Sequence, residues 1–303
     1  MARLDSWMNL KGSMTALVTP FRDGEVDLAC LSRLVERQIA GGTDWLVPLG
    51  TTGETPALSE TEREQVLEGV LGTANKRRPV MVGTGTNCTQ STIEHSRRAA
   101  VMGADALLVV VPYYNRPTQE GMYRHFAAVA EAVDLPIVLY NVPARTGATL
   151  SNETTARLRN GFVNIVAIKD ATGNVDGLSD LLLRCDIRVL SGDDTLTWPM
   201  MALGAVGVVS VISNLRPSWM KAMTAAALTG DTATALSQHR RVYDLAAGIG
   251  RFGPNPIPVK TAMAIVGLIA EEFRLPLCPL DAEARSGIEK VLRRHEMIEA
   301  CAA

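Results

Sequence analysis

Eight short apolar runs punctuate the chain, at residues 14–19, 45–49, 80–83, 106–111, 137–140, 163–168, 187–190 and 206–211. They are continuous rather than alternating. A strand with one face in water alternates apolar and polar residues, so a continuous run marks burial on both faces, as in a parallel sheet covered by helices. Between the runs, apolar residues recur every three or four positions, the period of a helix. Leu28, Leu31, Leu34, Val35 and Ile39 form one stripe, and Val66, Leu67, Val70, Leu71 and Ala74 the next. Met122, Phe126, Val129 and Val133 make a third, and Leu178, Leu181 and Leu182 a fourth. Ser59 and Glu62 have the spacing of a capping box that opens the second of these helices. The stripes read as core packing rather than as contacts to a cofactor.

Eight strand–helix pairs fit between residue 13 and residue 229, the unit length of a (β/α)8 TIM barrel. The rival fold is a doubly wound open sheet, whose mark is a GxGxxG turn after a strand. The candidate for that turn, Gly83-Thr84-Gly85-Thr86-Asn87-Cys88, lacks the third glycine, and no acidic residue is well placed after it. The expected fold class is therefore α/β, a TIM barrel over residues 1–230. Beyond residue 230 the strand signal stops. Residues 231–250, 258–271 and 282–300 read as three helices, broken apart by Pro254, Pro256, Pro258, Pro276 and Pro279. Residues 231–303 are expected to form a helical appendage packed on the barrel.

Composition narrows the function classes. The 303 residues are 47% hydrophobic and 20% charged, with a formal net charge of −2. That balance gives no electrostatic case for nucleic acid or an anionic membrane. No apolar run approaches the roughly 18 residues of a membrane span. Residues 1–10 carry Arg3 and Asp5 and have no apolar segment of the secretory kind. Cys30, Cys88, Cys185, Cys278 and Cys301 are odd in number and never in CxxC spacing, which suits reduced thiols in a cytoplasmic protein and argues against a zinc site. His95, His125, His239 and His295 each fall in an expected helix with no ligand partner nearby, so no metal site is expected.

Chemistry in a TIM barrel sits at the C-terminal ends of the strands. Lys169 follows the sixth apolar run directly, at the rim of the expected core. A buried lysine loses solvation and its pKa falls, and a neutral amine attacks a ketone to form a Schiff base. Local sequence alone favours a plain surface lysine; the neighbours on the rim reverse that. Gly50-Thr51-Thr52-Gly53-Glu54 follows the second run and can present N–H and O–H groups to a small anion, although taken alone it is better read as an ordinary turn. Pro112-Tyr113-Tyr114-Asn115 follows the fourth run, and Tyr140 to Gly147, including Arg145, ends the fifth. A tyrosine and a threonine can pass protons during carbinolamine formation and dehydration. Arg145 offers a bidentate grip on a carboxylate. Asp193 and Asp194 point to opposite sides of an extended segment, and an N-cap role for the next helix suits them better than a shared proton.

GTTGE at 50–54, PYYNRP at 112–117, YNVPARTG at 140–147, IKDATG at 168–173, SGDD at 191–194 and NPIPVK at 255–260 occur in order along nearly the whole chain. This set resembles the dihydrodipicolinate synthase family, within the N-acetylneuraminate lyase superfamily of Schiff-base pyruvate aldolases. The resemblance implies a carbon–oxygen lyase of lysine and diaminopimelate biosynthesis that condenses pyruvate with L-aspartate-4-semialdehyde. It implies that Lys169 forms the Schiff base and that Tyr140, Thr52 and Tyr114 relay protons, Tyr114 reaching into a neighbouring subunit. It further implies that Thr51 and Thr52 hold the pyruvate carboxylate, that Arg145 holds the carboxylate of the semialdehyde, and that the backbone carbonyl of Val209 faces the site. No cofactor is needed, and the family is commonly a homotetramer built as a dimer of dimers.

Asn87 and Tyr113 match the position where many relatives bind lysine as an inhibitor. Glu60 stands where some lysine-sensitive relatives have an aromatic residue or histidine, and Ser91 where they have glutamate. Serine cannot supply the charge-assisted bond to the inhibitor's ammonium, so weak or absent lysine inhibition is expected. Two other readings remain at this point: a superfamily aldolase acting on a 2-keto-3-deoxy sugar acid or N-acetylneuraminate, and a catalytically silent paralogue.

Overall fold

Parallel pairing joins the eight apolar runs into a closed ring. The computed structural model describes residues 10–299. Its barrel strands are β1 (Gly12–Ala16), β2 (Trp45–Val47), β3 (Met81–Gly83), β4 (Ala106–Val110), β5 (Ile137–Asn141), β6 (Ile165–Asp170), β7 (Arg188–Ser191) and β8 (Gly207–Ser210). Each pairs with the next, β8 returns to β1, and a parallel bridge between Leu46 and Val80 closes β2 on β3. One helix follows each strand: α1 (Leu28–Ala40), α2 (Glu60–Ala74), α3 (Thr89–Met102), α4 (Gln119–Ala132), α5 (Asn152–Gly161), α6 (Val175–Arg184), α7 (Thr197–Ala202) and α8 (Pro217–Leu228). The expected TIM barrel is present.

The continuous apolar runs now have their reason. Ile137 and Leu139 face the helices, while Val138 and Tyr140 face the barrel interior. Both faces of each strand are buried, and each such side chain contributes about 1.5–3 kcal/mol. The seam between β1 and β8 is tight enough to require glycine: a Cβ on Gly207 would lie 2.2 Å from the carbonyl oxygen of Gly12. At α2 the capping box forms as expected, with Ser59 N donating to Glu62 Oε2 at 2.8 Å and Glu62 N to Ser59 Oγ at 3.2 Å.

Three helices follow the barrel: α9 (Thr232–Gly250), α10 (Ile257–Ile265) and α11 (Ala282–Arg294). Val242, Leu245, Ile249, Met263, Ile288 and Val291 share one core with Cys30, Leu34 and Met220 of the barrel helices. The appendage thus packs against α1 and α8, on the side of the barrel where β8 meets β1. α10 stops short of the expected 271, because the chain turns through Gly267 at φ +75°. α11 ends before the expected 300, and His295 caps it rather than lying within it. The N-terminal segment read as lacking a leader, apart from Leu10, and Cys301 lie outside the described residues. No described helix is long and apolar enough to cross a membrane.

Candidate active site

A β-bulge decides where Lys169 points. Strand β6 pairs with β5 through Ile137↔Ile165 and then Val138↔Ala167, so Val166 is an extra residue. Ile165 packs outward, Val166 and Ala167 both pack inward, and Ile168 packs outward again. Without the extra residue the two-residue alternation from Ile165 would send Lys169 outward, to the helices. Bulges next to sites re-aim side chains in this way. Lys169 therefore lies within β6, not after it as the apolar run suggested, and it opposes Tyr140 on β5. Both residues are 6% exposed, and the lysine Nζ lies 4.0 Å from the centre of the Tyr140 ring.

The segment after β2 is a tight turn over Thr51–Gly53. Gly53 N donates to Gly50 O at 3.0 Å, Thr19 Oγ1 to Gly53 O at 2.7 Å and Thr55 Oγ1 to Gly50 O at 2.9 Å. These bonds lock the turn and bury Thr52. Arg145 stands on a single helical turn, Pro143–Thr146, directly after β5. Its guanidinium is exposed and donates to Asn255 O at 2.8 Å. Thr51, Tyr140 and Arg145 line one cavity of about 210 Å³, together with Arg63, Tyr113 and Val142. Val209 sits on β8 with its side chain in the barrel interior.

Tyr114 is not on this chain's own rim. It is 90% exposed, with φ +72°. Asn115 N donates to Tyr113 O at 2.9 Å, so Tyr114 is the centre of a three-residue turn that a bulky side chain adopts only at a cost. Of the two residues expected at an inhibitor site, Tyr113 lines the cavity above. Asn87 lines an adjoining one of about 500 Å³ with Glu60, Ser91 and His95; Arg63 borders both.

Asp193 and Asp194 depart from the expected capping role. Asp193 folds onto its own loop, taking Thr195 N at 2.9 Å and Thr195 Oγ1 at 2.8 Å. Asp194 is buried and accepts from Ser210 Oγ at 2.5 Å, Val211 N at 3.1 Å and Ile212 N at 2.9 Å. It holds the loop after β8, while α7 is capped by no side chain.

Three residues gained no role from sequence reasoning although all stood inside motifs. Asn255 Nδ2 donates to Thr52 Oγ1 at 3.0 Å. Lys260 and Glu54 form an ion pair in which both side chains are essentially inaccessible. Glu54 also accepts from Arg274 N at 3.0 Å, and the Lys260 ammonium lies 4.4 Å from the Phe21 ring centre. Burial pulls the Lys260 ammonium below its ordinary range, and the Glu54 carboxylate opposes that. The pair ties the turn bearing Thr52 to the helix that follows Asn255. Among the described residues no group of three or more His, Cys, Asp or Glu side chains comes together as a metal site.

The chain is similar over nearly its whole length to proteins of one family. Residues 9–295 match the Dihydrodipicolinate synthetase family. The chain is 46% identical over 290 residues to a 4-hydroxy-tetrahydrodipicolinate synthase of Hydrogenobaculum sp., covering 95% of this chain and 100% of the relative. The crystal structure of dihydrodipicolinate synthase from Aquifex aeolicus superposes with TM-score 0.93 at 44% identity, over 95% of this chain and 99% of the other. That of the chloride-inhibited dihydrodipicolinate synthase from Acinetobacter baumannii complexed with pyruvate gives 0.92 at 45% identity, over 95% and 100%.

Proposed function

The chain belongs to the dihydrodipicolinate synthetase family, and on that premise we propose that it condenses pyruvate with L-aspartate-4-semialdehyde to give 4-hydroxy-tetrahydrodipicolinate and water, in lysine and diaminopimelate biosynthesis. The observation that carries this reading is Lys169, turned into the barrel by the Val166 bulge and laid over Tyr140 beside the cavity of Arg145.

Lys169 Nζ attacks the keto carbon of pyruvate, and the carbinolamine loses water to an iminium. Loss of a methyl proton gives an enamine, whose carbon attacks the aldehyde carbon of the second substrate. The amine of that substrate then attacks the iminium carbon, which closes the ring and releases Lys169. Tyr140, Thr52 and Tyr114 move the protons these steps require. Thr51 and Thr52 receive the pyruvate carboxylate at the turn after β2, and the Val209 carbonyl faces the reacting group. Arg145, exposed at the cavity mouth with one N–H on Asn255 O, has further donors with which to grip the second carboxylate. The covalent iminium supplies the electron sink, so no cofactor is required.

Tyr114 acts in the site of a neighbouring copy. Its 90% exposure and its strained backbone suit a side chain held for a partner. The protein is then a homo-oligomer, a tetramer arranged as a dimer of dimers, in which each site is completed across an interface. The four described cysteines are free thiols, which suits the cytoplasm. Steady-state assay with both substrates tests the reading. Arg145→Ala should raise KM for the semialdehyde at least about tenfold, the loss of a charge-assisted bond, and spare the pyruvate half-reaction. Turnover of a 2-keto-3-deoxy sugar acid in place of the semialdehyde would contradict it.

A further inference from the structure

Tyr114 sits in a short loop with left-handed backbone at two non-glycine residues, Tyr114 itself at φ +72° and Arg116 at φ +45°. Such conformations persist only where the surroundings impose them. Asn115 N donates to Tyr113 O at 2.9 Å, which closes the turn on itself and ties it to nothing else. Asn115 Nδ2 donates to Asn87 O at 2.8 Å. Among the described residues this is the one hydrogen bond between residues 113–116 and the rest of the fold. Its acceptor is held on both sides. Thr86 N donates to Thr92 Oγ1 at 2.9 Å, and Thr92 Oγ1 donates to Cys88 O at 2.9 Å. Thr92 is buried in the first turn of α3, so the Asn87 carbonyl stands on a fixed platform.

Proton relay needs the Tyr114 hydroxyl within hydrogen-bond reach of its partner groups, and a misplacement of about 1 Å is costly. A side chain 90% exposed on its own subunit gets no such precision from packing there. We infer that Asn115 is a positioning residue: its amide pins the Tyr114 turn to the loop before α3, and so aims the phenol that serves the neighbouring copy. The assignment rests on the proposed reaction and on Tyr114 acting across the interface. Only the NH2 of the amide can face a carbonyl acceptor, so the bond fixes the amide's orientation and a carboxylate at 115 cannot replace it. Asn115 acts through Tyr114. It belongs to one subunit, and its loss is felt in the site of the other.

Mixed subunits provide the test. Asn115→Ala should lower kcat at least about fivefold, as expected for one lost neutral hydrogen bond, and Asn115→Asp, nearly the same shape without the donor, should do the same. A smaller fall in either would overturn the assignment. Asn115→Ala is then unfolded, mixed and refolded with Lys169→Ala in one arm and with Tyr114→Phe in the other. In a hybrid with Lys169→Ala, the intact Lys169 faces a Tyr114 that its own Asn115 still holds. That mixture should reach about a quarter of wild-type activity, since half the dimers are hybrids with one full site each. In a hybrid with Tyr114→Phe neither site is whole, and that mixture should stay at the mean of the two separate proteins. Recovery with Tyr114→Phe alone would put Asn115 to work in its own subunit's site and overturn the assignment. Recovery with both partners, or with neither, would reduce Asn115 to a general part of the fold and overturn it as well. A control mixture of Lys169→Ala with Tyr114→Phe separates the two levels: no recovery there would remove Tyr114 from its neighbour's site, and the role of Asn115 would fall with it.

Discussion

Replacing Lys260 with methionine tests the buried ion pair that links the two loops of the site. Methionine keeps most of the length and volume of the lysine stem, so packing between Phe21 and Phe273 changes little. What is lost is the charge. Glu54 would remain with a side chain 1% exposed and one backbone donor, Arg274 N. Removing one partner of a buried pair costs about 3–5 kcal/mol, roughly a 10²- to 10⁴-fold fall in the folded-to-unfolded ratio. Adding Glu54→Gln removes the stranded charge and keeps an acceptor for Arg274, so the double variant should recover at least half of the loss. Equilibrium urea unfolding at one fixed protein concentration reads both numbers, the fixed concentration being needed because the proposed assembly would contribute to stability. Turnover should fall further in Lys260→Met than its folded fraction explains, since the pair sets the turn bearing Thr52. A Lys260→Met protein within about 1 kcal/mol of wild type, or a double variant no more stable than the single one, would refute this account of the pair.

Tyr114→Phe and Lys169→Ala should each be nearly inactive alone, yet mixed and reassembled subunits should regain roughly a quarter of wild-type activity, because half the dimers are hybrids and each hybrid has one intact site; no recovery would place Tyr114 outside its neighbour's site. His125 is buried against Phe126, with Thr89 Oγ1 3.0 Å from its Nδ1, and burial lowers its pKa from 6.5 to about 4. Its folded state resists protonation, so the unfolded chain binds more protons between those values and stability falls as pH drops from about 7 to 4. The loss, roughly 3 kcal/mol, should disappear from the acid limb of urea midpoints in His125→Gln. Lysine should inhibit weakly or not at all, since Ser91 brings no charge to the cavity it shares with Glu60 and Asn87; an inhibition constant in the micromolar range or below would contradict this.

The barrel was legible because parallel strands buried on both faces write themselves as unbroken apolar runs, and because Ser59 and Glu62 mark a helix start by chemistry local to four residues. What the sequence hid was long-range or conformational. The Val166 bulge leaves no trace in a run of Val, Ala and Ile, yet it turns Lys169 inward. Asp194 looked like a cap because its partners, Ser210 to Ile212, lie on the next strand and loop. The left-handed backbone of Tyr114 and the early stop at Gly267 depend on turns that composition alone does not specify. Thr51, Tyr140 and Arg145 were found as residue types on one rim, and the structure brings them to one cavity. Asn255, Glu54 and Lys260 stood in the motifs without a role, because each acts on a residue far away in the chain.

The central claim is that Lys169 carries the chemistry. Incubation of the protein with pyruvate and borohydride, followed by peptide mass analysis, should place a reduced pyruvate adduct on Lys169 and nowhere else, and Lys169→Ala should remove it. An adduct on Lys260 or another lysine, or no adduct in a folded wild-type protein, would contradict the account.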